Sequence, residues 1–264
     1  MNIFPSTLDT AVEQAKEATL AAISDGYRLI QVELVIPEIA LKSEALALEF
    51  ADLFSRDGSK VKVMFPDTGA AALARRNWGD REFAVTDMGS RFTPIETQVS
   101  ADDEIFIVAC PSSVEVDRAE KLSQIAGDRP VIFLIPQLED VAVVGIGLAA
   151  RQLRERFIKN IYSSYYLRPI EDGAILRCHP YAWQIWLENE AKAENYELAK
   201  ELDSKPMGED LDRLMMQLTN SEAEASENTP GTSKKKPNLL GNLQKFLKAL
   251  SQKSIYKELK KLVF

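Results

Sequence analysis

Apolar positions recur along this chain with two alternating periods. Over residues 8–24, Leu8, Ala11, Val12, Ala15, Ala18 and Ala22 return at helical spacing, and Gly26 stops the run. Ser6, with Asp9 three residues on, reads as the cap of that helix. Residues 28–37 change to a period of two, which predicts a strand closed by Pro37. The exchange continues with a helix over 41–54, a strand over 61–65, an alanine-rich helix over 69–78 and a strand over 83–86. Then come a strand over 104–110, a helix over 114–126 and a strand over 131–135. Short continuous apolar runs such as 105–110 suit strands covered on both faces. Strands alternating with helices in this way predict an α/β fold, Rossmann-like, with a mainly parallel sheet and helices on both faces.

The pattern shifts further along. A short strand over 141–144 and a helix over 148–160 are expected, followed by two β-rich runs, 162–169 and 174–179. Ile170-Glu171-Asp172-Gly173 joins those runs, and its Asp-Gly step predicts an antiparallel hairpin extension of the sheet. Trp183 and Trp186 are expected to seal the sheet edge, and helices around 196–202 and 209–218 to close the globular part. Ser, Glu, Asn, Thr, Gly and Lys then dominate up to residue 236, the composition of a solvated linker. The expected organisation is an α/β domain over 1–218, a flexible linker over 219–238 and a tail over 239–264.

Charge separates that tail from the rest. From Lys234 onward there are nine lysines and one glutamate, whereas the preceding residues hold 23 basic and 39 acidic side chains, so a basic segment follows an acidic body. Leu239, Leu243, Phe246, Leu247 and Leu250 share one helical face that excludes Lys245 and Lys248. Ile255, Leu259, Leu262 and Val263 resume the stripe opposite Lys257, Lys260 and Lys261. A basic amphipathic segment needs something negative or apolar beside it. Three occupants fit: an anionic membrane surface, a groove on a partner protein, and the acidic body of the same chain. The contacts are expected from Leu243, Lys245, Phe246, Lys248, Leu250, Lys257, Lys260 and Lys261. Nucleic acid is a poor partner for an acidic body and a tail with few stacking aromatics. No run of eighteen apolar residues occurs, so no span is expected. The N-terminus lacks a basic leader, and Cys110 and Cys178 are too few for a disulfide framework. An intracellular chain starting at Met1 is expected.

Candidate chemistry is sparse. Gly145-x-Gly147-x-x-Ala150 matches the loose form of a dinucleotide fingerprint, but it lies late in the chain and lacks the acidic residue that should end the next strand. Asp67 and Thr68 precede a helix, where they would cap it or touch a ligand, and Ser112 and Ser113 stand in the same relation to the helix after Cys110. Asp67, Thr68, Ser112, Gly145 and Gly147 are thus the candidates for a phosphate-bearing ligand. Nucleophilic catalysis at Cys110 would require His179, the one histidine. No metal set, bound cofactor or catalytic constellation is expected. Arg151, Arg154 and Arg156 are expected to pair with nearby acids on a solvated helix face.

Several longer strings carry a resemblance. Phe65-Pro66-Asp67-Thr68-Gly69-Ala70-Ala71-Ala72-Leu73-Ala74-Arg75-Arg76, Gly145 through Phe157, Tyr165-Tyr166-Leu167-Arg168-Pro169 and Leu176-Arg177-Cys178-His179-Pro180-Tyr181-Ala182-Trp183 resemble landmarks of a domain family of unknown function from cyanobacteria and chloroplasts. A plant member of that family is named for low photosystem II accumulation. The resemblance covers roughly residues 1–217 and implies a non-enzymatic accessory role in photosystem II assembly or maintenance. It further implies contacts with photosynthetic membrane proteins or their assembly machinery, at the cytoplasmic face of the thylakoid membrane. The alternative is a small-molecule enzyme or sensor that binds a phosphate-bearing ligand at the strand carboxyl ends.

Overall fold

The computed structural model describes residues 3–37, 39–56, 58–90, 92–139, 147–189 and 195–227. They fall into two compact units, one spanning Val12–Tyr166 and the other combining the residues before Val12 with those from Leu167 onward.

In the first unit the predicted alternation holds. Helix α1 (Leu8–Ser24), which starts just before the unit boundary, leads into β1 (Leu29–Leu34), α2 (Ser43–Ser55), β2 (Val61–Phe65), α3 (Thr68–Trp78) and β3 (Ala84–Asp87). Then follow β4 (Ile105–Ala109), α4 (Val116–Ala126), β5 (Val131–Leu134), α5 (Leu148–Arg156) and the start of β6 (Tyr162–Ile170). Thr7 rather than Ser6 caps α1: its Oγ1 accepts from the Thr10 amide at 3.1 Å while Thr10 Oγ1 accepts from the Thr7 amide at 3.0 Å. This reciprocal pair satisfies two amide donors that helix geometry leaves without a partner.

Strands run in the order β3-β2-β4-β5-β1, every neighbouring pair parallel. Every residue of β4 and β5 is buried, as expected where both sheet faces are covered. On one face Met64, Phe106, Val108 and Phe133 pack with Leu122 of α4 and with Phe157 just after α5. On the other, Val32 and Leu134 meet Val12 of α1 and Leu46 and Phe50 of α2. Successive strand residues point to opposite faces, so a strand such as β5 supplies both cores.

The second unit is antiparallel. Glu171 and Asp172 form the two-residue connection from β6 to β7 (Gly173–Cys178), with Asp172 at φ 59°, the left-handed geometry that such a turn requires. Next come β8 (Trp183–Glu188) and β9 (Tyr196–Leu202), which pair antiparallel in the order β7-β8-β9. The expected helix over 196–202 is therefore a strand. Trp183 and Trp186 belong to the middle strand of these three, and both are buried. Phe4 stacks on Tyr196 at 3.9 Å and tilts against Trp186 at 5.6 Å. Helix α6 (Gly208–Glu227) runs nine residues into the segment read as linker. The rest of that linker, the tail and the expected strand over 141–144 lie outside the described residues.

Candidate functional site

Parallel sheets place ligands at the carboxyl ends of their strands, where successive connections depart in opposite directions. Here the chain leaves β2 towards β3 on one side and leaves β4 towards β5 on the other, so the reversal falls between β2 and β4. Right-handed crossovers in opposite directions put α3 and α4 on opposite faces. Asp67 and Thr68 follow β2, and Ser112 follows β4. Thus three of the candidate side chains share the end of the sheet where a ligand would sit.

Each of them is engaged locally. Asp67 Oδ1 accepts from the Ala70 amide at 2.9 Å and caps α3. Thr68 Oγ1 donates to Asp87 Oδ2 at 2.9 Å, and the other oxygen of Asp87 accepts from the Gly89 amide at 2.7 Å. Ser112 donates to Glu115 Oε2 through its amide at 3.0 Å and its hydroxyl at 2.5 Å, and Glu115 also holds Arg118 at 3.1 Å. The entry to α4 is thus built by Ser112 and the buried Glu115, with no cap from Ser113. A Ser-x-x-Glu spacing is the sequence signal for that arrangement.

Two strand exits beside these residues are strained. Cys110 and Ile135 both have φ 48°, unfavourable for any side chain and most of all for a β-branched one, and both precede proline. Such residues cost about 1–3 kcal/mol each and persist when their surroundings over-determine them. The ladder does so here. The Cys110 amide donates to the Leu134 carbonyl, the Ile135 amide to Val32, and the Gln137 amide to Pro111, each at 2.8 Å. Burial, with the Glu115 charge second, pushes the Cys110 thiol above its ordinary value. A thiol so placed is a weak nucleophile at neutral pH.

Of the fingerprint glycines, Gly145 lies outside the described residues. Gly147 precedes α5 at φ −125°, and a Cβ built there would meet nothing within 4 Å. Glycine is therefore not demanded at that position by backbone geometry or close approach. Arg154 pairs with Glu139 and Arg156 with Glu120, each at 2.6 Å, as their helix position suggested. Cys110 and His179 belong to different units. Among the described residues no group of three His, Cys, Asp or Glu is placed to hold a metal ion, and no helix is long and apolar enough to cross a membrane. Leu243, Lys245, Phe246, Lys248, Leu250, Lys257, Lys260 and Lys261 lie outside the described residues.

The carboxyl end of the sheet carries another feature that periodicity did not single out. Loops leaving three of its strands expose large apolar side chains: Val35 and Leu41 after β1, Phe92 after β3 and Val114 after β4. Leu41 is 80% exposed, Phe92 86% and Val114 77%. Isolated exposed apolar residues are ordinary. These share one end of one sheet, on which the strands they follow, from β3 to β1, span roughly 19 Å at the usual strand spacing. A span of that width suits a protein contact better than a small-molecule crevice.

Residues 5–213 match a family described as domain of unknown function (DUF1995), and the chain belongs to that family.

Proposed function

We propose that this protein is a non-enzymatic accessory factor in photosystem II assembly or maintenance. Its α/β body contacts photosynthetic membrane proteins or their assembly machinery, and its basic tail lies on the anionic cytoplasmic face of the thylakoid membrane. The observation that carries this reading is the apolar loop display at the strand carboxyl ends, together with polar side chains there that already bond one another. A site built to take a phosphate would aim such groups outward. The resemblance of the body to a family with a member named for low photosystem II accumulation supports the choice of client. Lysines near an anionic surface contribute about 1 kcal/mol each and buried methylenes about 0.8 kcal/mol, which suits the tail's composition.

Deletion of residues 237–264 tests the membrane part. Loss of co-sedimentation with membranes and lowered photosystem II accumulation are expected; if both stay unchanged, the reading fails. A thermal-shift screen against nucleotides and sugar phosphates tests the rest. No compound is expected to raise the midpoint, and a clear rise for one would transfer the function to a phosphate-bearing ligand at Asp67, Thr68 and Ser112.

A further inference from the structure

The second unit contains a cleft of about 520 Å³ between the β6–β7 turn and α6. Ile170, Leu211 and Met215 give it an apolar lining, while Glu171, Asp172 and Asp212 outnumber the one basic residue on its wall, Arg168. Met216, also on its wall, is 68% exposed. An exposed apolar trough rimmed by acids selects a partner that is both apolar and basic.

The chain carries such a segment itself. We propose that residues 239–264 dock in this cleft, laying the stripe of Leu243, Phe246 and Leu250 on Leu211, Met215 and Met216. The tail's lysines then face the acids of the rim and of α6. Charge favours the match, because α6 holds six acids and one arginine whereas the segment from Lys234 holds nine lysines and one glutamate. Geometry permits it as well. At 1.5 Å per helical residue, Glu227 stands roughly 12 Å beyond Thr219 and roughly 24 Å beyond Leu211. The spacer 228–238 reaches up to roughly 36–40 Å when extended, enough to return over either distance. So short a connection holds the tail at a millimolar-range effective concentration over the cleft, an advantage that no separate partner has. The docked and membrane-bound tails would use the same apolar stripe, so the two states exclude each other. The docking itself does not depend on the membrane reading.

Full-length protein with 13C-labelled methionine methyl groups tests this without lipid. A soluble paramagnetic agent should broaden the Met215 and Met216 signals weakly in the wild type. It should broaden both strongly in the Leu243→Asp/Phe246→Asp/Leu250→Asp variant, and the remaining Met215 signal strongly in Met216→Lys, whose surface position leaves the fold intact. High salt should shift the wild type towards the variants. Equal broadening in wild type and tail variant would overturn the proposal. So would protection that disappears on dilution, since a second copy would then fill the cleft. Vesicle co-sedimentation, measured separately, decides the membrane reading, and neither result can stand in for the other.

Discussion

The parallel and antiparallel units solve the same burial problem with different margins. Strands β4 and β5 are buried at every position because helices cover both faces, whereas no residue of the edge strand β9 is more than partly buried. The loops at the carboxyl end of the parallel sheet are therefore mounted on strands whose centre is wholly buried, and the antiparallel unit keeps comparable burial in β7 and β8 but loses it at β9. A surface meant for recognition gains from such a mount, because the ordering has already taken place before the partner arrives.

The contrast is sharpest at the core. Phe133, fully buried between β4 and β1, should cost about 3–5 kcal/mol on truncation to Ala, seen as a lowered denaturant midpoint. Leu198→Ala on the edge strand should move it by about 0.5 kcal/mol. Comparable losses at the two sites would end the distinction. Glycines probe each unit locally. Gly89 sits at φ 80°, and a Cβ there would stand 2.3 Å from the Thr93 carbonyl oxygen; at Gly173 it would stand 2.2 Å from that of Trp186. Ala at either position should cost about 1–3 kcal/mol. The Gly89 variant should also disturb the loop that presents Phe92, while the Gly173 variant leaves it unchanged in hydrogen exchange.

Smaller effects belong to the helix entries. Ser112→Ala removes the hydroxyl bonded to Glu115 and should lower stability by about 0.5–2 kcal/mol without affecting any ligand response. The smallest effect concerns pH. The hydrogen bond from Arg156, then its charge, holds the Glu120 carboxyl below its ordinary value of 4.5. A carboxyl lowered by folding stabilises above its unfolded pKa and loses that contribution as pH falls through the folded one. Arg156→Gln should therefore lower the melting midpoint slightly at neutral pH, and the gap should close in acid as pH falls below the ordinary carboxyl range. A gap that persists there would assign the effect to packing.

How much of this was legible depended on which periodicity reached the sequence. The parallel strands announce themselves through unbroken apolar runs such as Ile105 to Ala109, because burial on both faces leaves no position for polar residues. β9 does not. Its sequence, Tyr196-Glu197-Leu198-Ala199-Lys200-Glu201-Leu202, is rich in helix formers, and its partly buried residues Tyr196, Ala199 and Leu202 recur every three. An irregularity in its pairing with β8, between Ile185 and Trp186, breaks the two-residue period there, so the strand imitates a helix turn. The candidate site was half legible. Chain order and small polar residues located Asp67, Thr68 and Ser112 at strand exits, but their hydrogen-bond partners Asp87 and Glu115 are fixed by tertiary placement and by a capping pair read one residue late. Leu41 and Val114 fall at the start of the expected helices 41–54 and 114–126, which begin only at Ser43 and Val116, and Phe92 falls between elements; apolar periodicity at such positions does not tell a displayed side chain from a buried one.

The proposed function resides in those displayed side chains. In a photosynthetic host lacking the native protein, complementation with the Leu41→Ser/Phe92→Ser/Val114→Ser variant measures it most directly. The variant should match the wild type in melting midpoint and in membrane co-sedimentation yet fail to restore photosystem II accumulation. Full restoration by a variant folded to the same degree would contradict the account.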